Sequence, residues 1–287
     1  MTLQNADVHV WSGQEAEDAS GAALLAQEKA GRRRKRGQII ASRLLVLVAI
    51  LGAWEISSRT FVDPFAASMP SLIFDRFLEW LTDGFLLGNL AVTLMESVVG
   101  FAIGAVIGIS LGLALSFNDA ASKVCAPYIN ALYALPKVTL GPLFVIWFGI
   151  AIKMKIVMAA VFVVFLIFYN TWSGARDVDQ GLVDSLRLMN ANKREIARKV
   201  VLPSALVWVF NGLRVSFPLA LMGATIGEII ASKRGIGFIV TDSAAQFDTT
   251  GVFTAIFTLM FVAVAVDRII VLTQAHALKW DEASSAL

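Results

Sequence analysis

The sequence predicts an all-α fold, a polytopic membrane bundle of six transmembrane helices, and three observations lead there. Of 287 residues, 57% are Ala, Val, Ile, Leu, Met, Phe, Trp, Tyr or Cys, and 21 more are glycine. Only 16% are charged, against about 25% in an ordinary soluble domain, too few to cover a water-facing surface of this size. The apolar residues also gather into six windows, 39–57, 89–116, 124–150, 153–172, 204–230 and 251–273, each able to cross a hydrocarbon core that takes roughly 20 helical residues. Soluble enzyme, disordered scaffold and disulfide-stapled domain are excluded. Cys125 is alone, so no intrachain disulfide is possible, and with only His9 and His276 beside it no metal site is expected.

Residues 1–38 read as a basic cytoplasmic tail, disordered by composition and carrying Arg32, Arg33, Arg34, Lys35 and Arg36. They contain no short apolar core followed by a small-residue cleavage site, so no cleaved signal peptide is read. A basic run directly before a span is a positive-inside anchor, and no nucleic acid partner is inferred from it. The first span, 39–57, is followed by an external segment, 58–88. Residues 89–273 form the main transmembrane core, and 274–287 a second cytoplasmic tail. Within the core, window 89–116 is long enough to tilt. Pro136 and Pro142 interrupt window 124–150, which predicts a kinked or broken helix. With the N-terminus inside, the cytoplasmic segments hold 16 of the 24 Lys and Arg residues, the external segments 6, and the spans Lys137 and Arg214. That bias supports an arrangement with both termini cytoplasmic. It requires Lys153 and Lys155 to lie at the outer end of their span.

Gly100, Gly104, Gly108 and Gly112 stand at strict i,i+4 spacing in the second span. Between helices in lipid, small residues that let backbones approach supply the association, so this stripe predicts a packing face. The 204–230 span has two faces. Ser216, Ala220, Gly223 and Gly227 form a small-residue stripe, whereas Arg214, Pro218, Leu221, Thr225 and Glu228 fall on the opposite side. Charge at membrane depth faces a bundle interior or a water-filled cavity. Arg214, Thr225, Glu228 and Lys137 are therefore candidates for lining a translocation path. The alternative places Glu228 in the outer headgroup region and Arg214 at a cytoplasmic helix end. Arg214 and Glu228 lie about 21 Å apart along one helix, so each needs a separate partner.

Between the fourth and fifth spans lies the segment 182–203. Leu182, Leu186, Met189, Ile196 and Val200 share one helical face, and Asp184, Arg187, Arg194, Glu195 and Arg198 the other. Lys193 intrudes on the apolar face just after Asn190-Ala191-Asn192, which predicts two short helices joined by a turn. Pro203 begins the next span, where its missing N–H is harmless. Such a pair suits docking on a cytosolic partner or lying in the headgroup plane.

This segment resembles the coupling segment of the permease subunits of bacterial ATP-binding-cassette importers. Their pattern of Glu-Ala-Ala, three residues, Gly, nine residues, Ile, one residue and Leu-Pro falls on Asp184-Ser185-Leu186, Asn190, Val200 and Leu202-Pro203. The spacing is intact, with Asp for Glu, Ser-Leu for Ala-Ala and Asn for Gly. Leu135-Pro136-Lys137, the run Gly141 to Gly149, Asn211-Gly212-Leu213-Arg214, and Glu228 followed by Gly235-Ile236-Gly237 resemble the nitrate/sulfonate/taurine-type branch. The resemblance implies a multi-pass inner-membrane permease, working as a homodimer among membrane lipid. A dimer of cytosolic ATP-binding subunits would grip Asp184, Ser185, Arg187, Asn190, Lys193, Arg194, Arg198, Val200, Leu202 and Pro203. It also implies a periplasmic or lipid-anchored solute-binding protein, and ATP held by the partner subunit instead of this chain. No Gly-Lys dipeptide exists here, hence no phosphate loop. A gradient-driven secondary transporter is the alternative, although no inverted repeat is evident.

Overall fold

A computed structural model describes residue 35, residues 37–60 and residues 67–277. Most of the basic tail and the end of the C-terminal tail lie outside the described residues, as do residues 61–66 of the external segment and the Lys193 side chain. The chain divides into two units, Met1–Pro64 and Phe65–Leu287. In the first, α1 (Gly37–Thr60) is an apolar helix long enough to span a membrane. Near its end Arg59 pairs with Glu55 at 2.7 Å, one turn back.

The second unit is built from helices alone among the described residues: α2 (Pro70–Thr82), α3 (Phe85–Ser116), α4 (Asp119–Ala134), a 3₁₀ turn (Lys137–Leu140), α5 (Gly141–Phe148) and α6 (Ile152–Gly174). These are followed by α7 (Gln180–Leu188), α8 (Lys193–Ile196), a π turn (Ala197–Val201), α9 (Leu202–Ala231), α10 (Ile236–Ala245) and α11 (Thr249–Ala277). Among the described residues five helices, α1 included, are long and apolar enough to cross a membrane, or six if α4 and the 3₁₀–α5 piece make one broken span. Those two pieces meet at 82°, at Pro136, where the residue before proline is held extended: Leu135 has ψ 130°. Pro142 does not break anything; it sits in the first turn of α5, where its missing N–H would be unpaired anyway.

The centre of the unit is α6. Met154, Met158, Ala159, Val163 and Ile167 are fully buried in it, because α3 packs on one side and α9 on the other. Both approaches are made by glycine. A Cβ added to Gly104 would lie 2.7 Å from Val163 Cβ and 2.8 Å from the Ala160 carbonyl oxygen, and one on Gly100 would lie 2.8 Å from the Ile156 carbonyl oxygen. Gly108 and Gly112 stand equally close to the Val164 and Phe168 carbonyl oxygens. On the other side a Cβ at Gly223 would be 2.8 Å from Ala159 Cα. Only backbone fits at these points, so the two glycine faces set the spacing of three spans.

Two further elements stand where no span was expected. The segment 58–88 contains α2, an amphipathic helix begun by Pro70. Its Phe77 and Trp80 pack on a cluster of Leu86, Ile236, Ile239 and Ala255. Arg76 of α2 bonds Asp248 at 2.6 Å, and Asp248 also accepts from the Gly251 N–H at the start of α11. The second is α10, ten residues lodged between α9 and α11 and too short to span.

Candidate functional site: an exposed elbow and a buried polar cluster

The segment 182–203 folds as an elbow. Asp179 caps α7 by accepting from the Gly181 N–H at 2.8 Å. After Leu188 the chain reverses through Asn190, whose φ of 61° is the left-handed conformation that Asn tolerates and most residues avoid. Asn192 then opens α8 with a reciprocal box. Its Oδ1 accepts from the Glu195 N–H at 3.0 Å, and Glu195 Oε2 accepts from the Asn192 N–H at 2.8 Å. Val178, Val183 and Val200 form a small core under the elbow, flanked by Leu186, Ile196 and Val201.

This corrects one detail of the helical wheel. Of the apolar face read from sequence, Leu186, Ile196 and Val200 turn inward, but Leu182 and Met189 are exposed, and Val183 takes the inward place. A single wheel cannot be carried through a left-handed residue, because the phase is reset there. The result is an apolar tip: Leu188 is 90% and Met189 78% exposed. On the same elbow Asp184 pairs with Arg187 at 3.0 Å, and Ser185, Arg194 and Arg198 are exposed.

The other end of α9 lies about 40 Å away, at 1.5 Å per residue over Leu202–Ala231. There Glu228 is 1% exposed. Its Oε1 accepts from Thr93 Oγ1 and its Oε2 from the Gly237 N–H, both at 2.6 Å. The Ile236 N–H donates to Thr93 Oγ1 and the Gly235 N–H to Asn89 Oδ1, each at 2.8 Å. The first N–H groups of α10, orphans in any helix, are thus met by side chains from α3 and α9. A carboxylate at that end is also favoured by the helix dipole. Glycine is required at 235 (φ 106°), and a Cβ at Gly237 would lie 2.5 Å from the Thr225 carbonyl oxygen.

Beside Glu228 lies Glu96, fully buried in α3. Lys155 of α6 pairs with Glu96 Oε1 at 3.6 Å and donates to Ser232 Oγ at 2.9 Å. Four elements therefore meet in one cluster. Sequence reading found Glu228 and missed its companions. The signal was available for Glu96, a lone carboxylate inside a long apolar run, but Lys155 passed as an outer-loop charge. It is instead 6% exposed, turned into the bundle, while Lys153 remains outside.

The remaining path candidates separate. Thr225 is buried and its hydroxyl donates to the Leu221 carbonyl. Arg214 meets Asp267 of α11 at 2.9 Å, both partly exposed. Lys137 sits at the corner of the broken span, where its Nζ donates to the Tyr133 carbonyl at 3.1 Å and lies 5.1 Å and 5.4 Å from the Tyr133 and Phe165 ring centres. No group of three or more His, Cys, Asp or Glu able to hold a metal occurs among the described residues.

Residues 104–276, more than half of the chain, match the family described as binding-protein-dependent transport system inner membrane component. The chain belongs to that family. This permease is 30% identical over 220 residues to the formylaminopyrimidine transport permease protein ThiX of Halalkalibacterium halodurans, covering 77% of this chain and 88% of that one. It is 27% identical to the putative aliphatic sulfonates transport permease protein SsuC of Bacillus subtilis, over 88% and 91% of the two chains. To the taurine transport system permease protein TauC of Escherichia coli it is 25% identical, over 81% and 88%. Its fold is that of the solved methionine transporter MetNI (TM-score 0.54, 21% identity, 65% of this chain and 95% of that). It is also that of an amino acid ABC transporter (TM-score 0.57, 17% identity, 70% and 98%). The permease is thus the non-catalytic, multi-pass inner-membrane component of an ABC importer of the sulfonate/taurine/nitrate branch.

Proposed function

We propose that this permease forms the path for a small solute handed over by a periplasmic or lipid-anchored binding protein, and that a dimer of cytosolic ATP-binding subunits drives it through the elbow. The observation that carries the reading is the elbow itself. It is ordered by caps and its own small core, yet it presents Leu188 and Met189 almost fully to solvent next to the exposed charged pair Asp184–Arg187. An apolar tip beside exposed charge has the make-up of a protein docking site. ATP is bound by the partner, so the chain needs no cofactor of its own. Both termini lie in the cytoplasm, on the elbow's side.

The permease works as a homodimer, and the broken span supplies the reason. Asn130, Tyr128, Tyr133, Pro136 and Thr139 are exposed along α4 and the 3₁₀ turn. Polar side chains exposed at membrane depth are costly in lipid, so this face is covered by a second copy and by the path between the two. Of the path candidates only Lys137 stands there, and its ammonium favours an anionic solute. Relatives named for sulfonates and taurine agree with that preference.

The test is a disulfide trap. With Cys125 replaced by Ser, Asp184→Cys should cross-link to a cysteine in the ATP-binding subunit, and Leu188→Asp should abolish both cross-linking and ATP-driven uptake. Uptake unchanged in Leu188→Asp would remove the elbow from the mechanism.

A further inference from the structure

We propose that Pro203 makes the π turn Ala197–Val201 into a flexure, a place where the elbow can move against α9. This rests on the elbow being the driven element. In an unbroken α-helix the Leu202 N–H would bond the Arg198 carbonyl and residue 203 would bond that of Lys199. Pro203 has no N–H, and its ring would strike the Lys199 carbonyl. The chain answers by widening: the Leu202 N–H reaches back five residues to the Ala197 carbonyl. Residue for residue the helix continues, since Arg194–Ala231 is one apolar helix of 38 residues, but one turn in it is wider and less regularly bonded. Wide turns of this kind are where helices bend and where function gathers.

The surroundings differ on the two sides of the turn. Below it, Ile196 packs on the elbow core of Val178 and Val183, and the turn itself adds Val200 to that core. Above it, Ala205 and Val209 are buried in the bundle, and Trp208 lies against Gly174 at the end of α6, too close for any side chain there. Beside the turn itself is a cavity of about 440 Å³, lined by Leu182, Lys199, Val200, Pro203 and Trp208. A flexure needs an irregularly bonded turn between two packed stretches and free volume to move into, and the π turn, the two cores and the cavity supply them. Pro203 is thus a positioning residue: it touches neither solute nor nucleotide and acts by keeping the turn open.

Two measurements on the assembled transporter test this. In the wild-type complex, amide exchange over 197–204 should be about tenfold or more faster than over 210–225, as expected for a locally opening segment in a stable helix. Exchange equally slow in both stretches would overturn the proposal. Second, Pro203→Ala combined with deletion of Ala197 removes the extra residue and lets α8 and α9 fuse in their present register. ATP-driven uptake should then fall about tenfold or more, within the usual span of coupling between sites, while the ATP-binding subunit still co-purifies. Full uptake, or loss of the ATP-binding subunit, would refute a flexure, the latter because the turn would then only place the elbow. Failure of the Asp184→Cys cross-link in the Cys125→Ser background, with Pro203 intact, would instead indict the elbow's role.

Discussion

Replacing Lys155 with Met removes the only cation from a buried cluster that contains two carboxyls. At 3.6 Å from Glu96 Oε1, and with an effective dielectric of about 20, the Coulomb attraction is about 4–5 kcal/mol. Neither side chain is exposed beyond 8%, so solvent screening takes little from that figure. Breaking a buried pair by deleting one partner costs about 3–5 kcal/mol, because a charge is left without compensation. The Ser232 hydroxyl also loses its donor, and with it a hold on the loop that feeds α10. The expected result for Lys155→Met is therefore a destabilisation of about 3–5 kcal/mol, read as a large drop in the thermal midpoint of the detergent-purified protein. The decisive arm is the double variant Lys155→Met/Glu96→Gln, which removes the stranded carboxylate and should recover at least about half of the loss. A Lys155→Met protein as stable as wild type, or a double variant no better than the single, would show that the cluster is not held by this ion pair.

Gly104→Val places a branched side chain against Val163 and the Ala160 carbonyl, where backbone cannot yield. It should cost about 1–3 kcal/mol or more, seen as a fall in monodisperse protein on size-exclusion chromatography, whereas Gly88→Ala, with nothing within 4 Å, should be neutral. Asn190→Gly keeps the left-handed turn and should keep uptake, while Asn190→Val should destabilise by about 1–2 kcal/mol and reduce uptake. Arg214→Ala should cost no more than about 1 kcal/mol, since its pair with Asp267 is partly exposed. A larger loss in thermal midpoint would mean that Arg214 holds α9 to α11 by more than charge.

The spans were legible because the bilayer imposes a length, and a run of about 20 apolar residues has few other uses. So was the break at Pro136, a local steric matter between a proline and the residue before it. The turn at Asn190 could be read the same way, from one residue type that tolerates positive φ. The helix α2 escaped, although Pro70 and an amphipathic pattern announce it, because it is too short to span and lies in a segment read only as external. For α10 no local signal suffices. Its start depends on Asn89, Thr93 and Glu228, which come from two other helices.

What the sequence determined alone was everything governed by neighbours along the chain: the spans, the break, the glycine face, and the elbow with its spacing to Leu202-Pro203. What the tertiary structure decided was the meaning of the membrane-depth charges. Glu228 reads from sequence either as a path residue or as a carboxylate in the outer headgroup region, and packing makes it a cap for α10. Lys155 reads as an outer-loop cation, and it is the counter-ion of Glu96. A charge in lipid announces that it must have a partner. Which partner depends on helices far apart in sequence, and only packing brings them together.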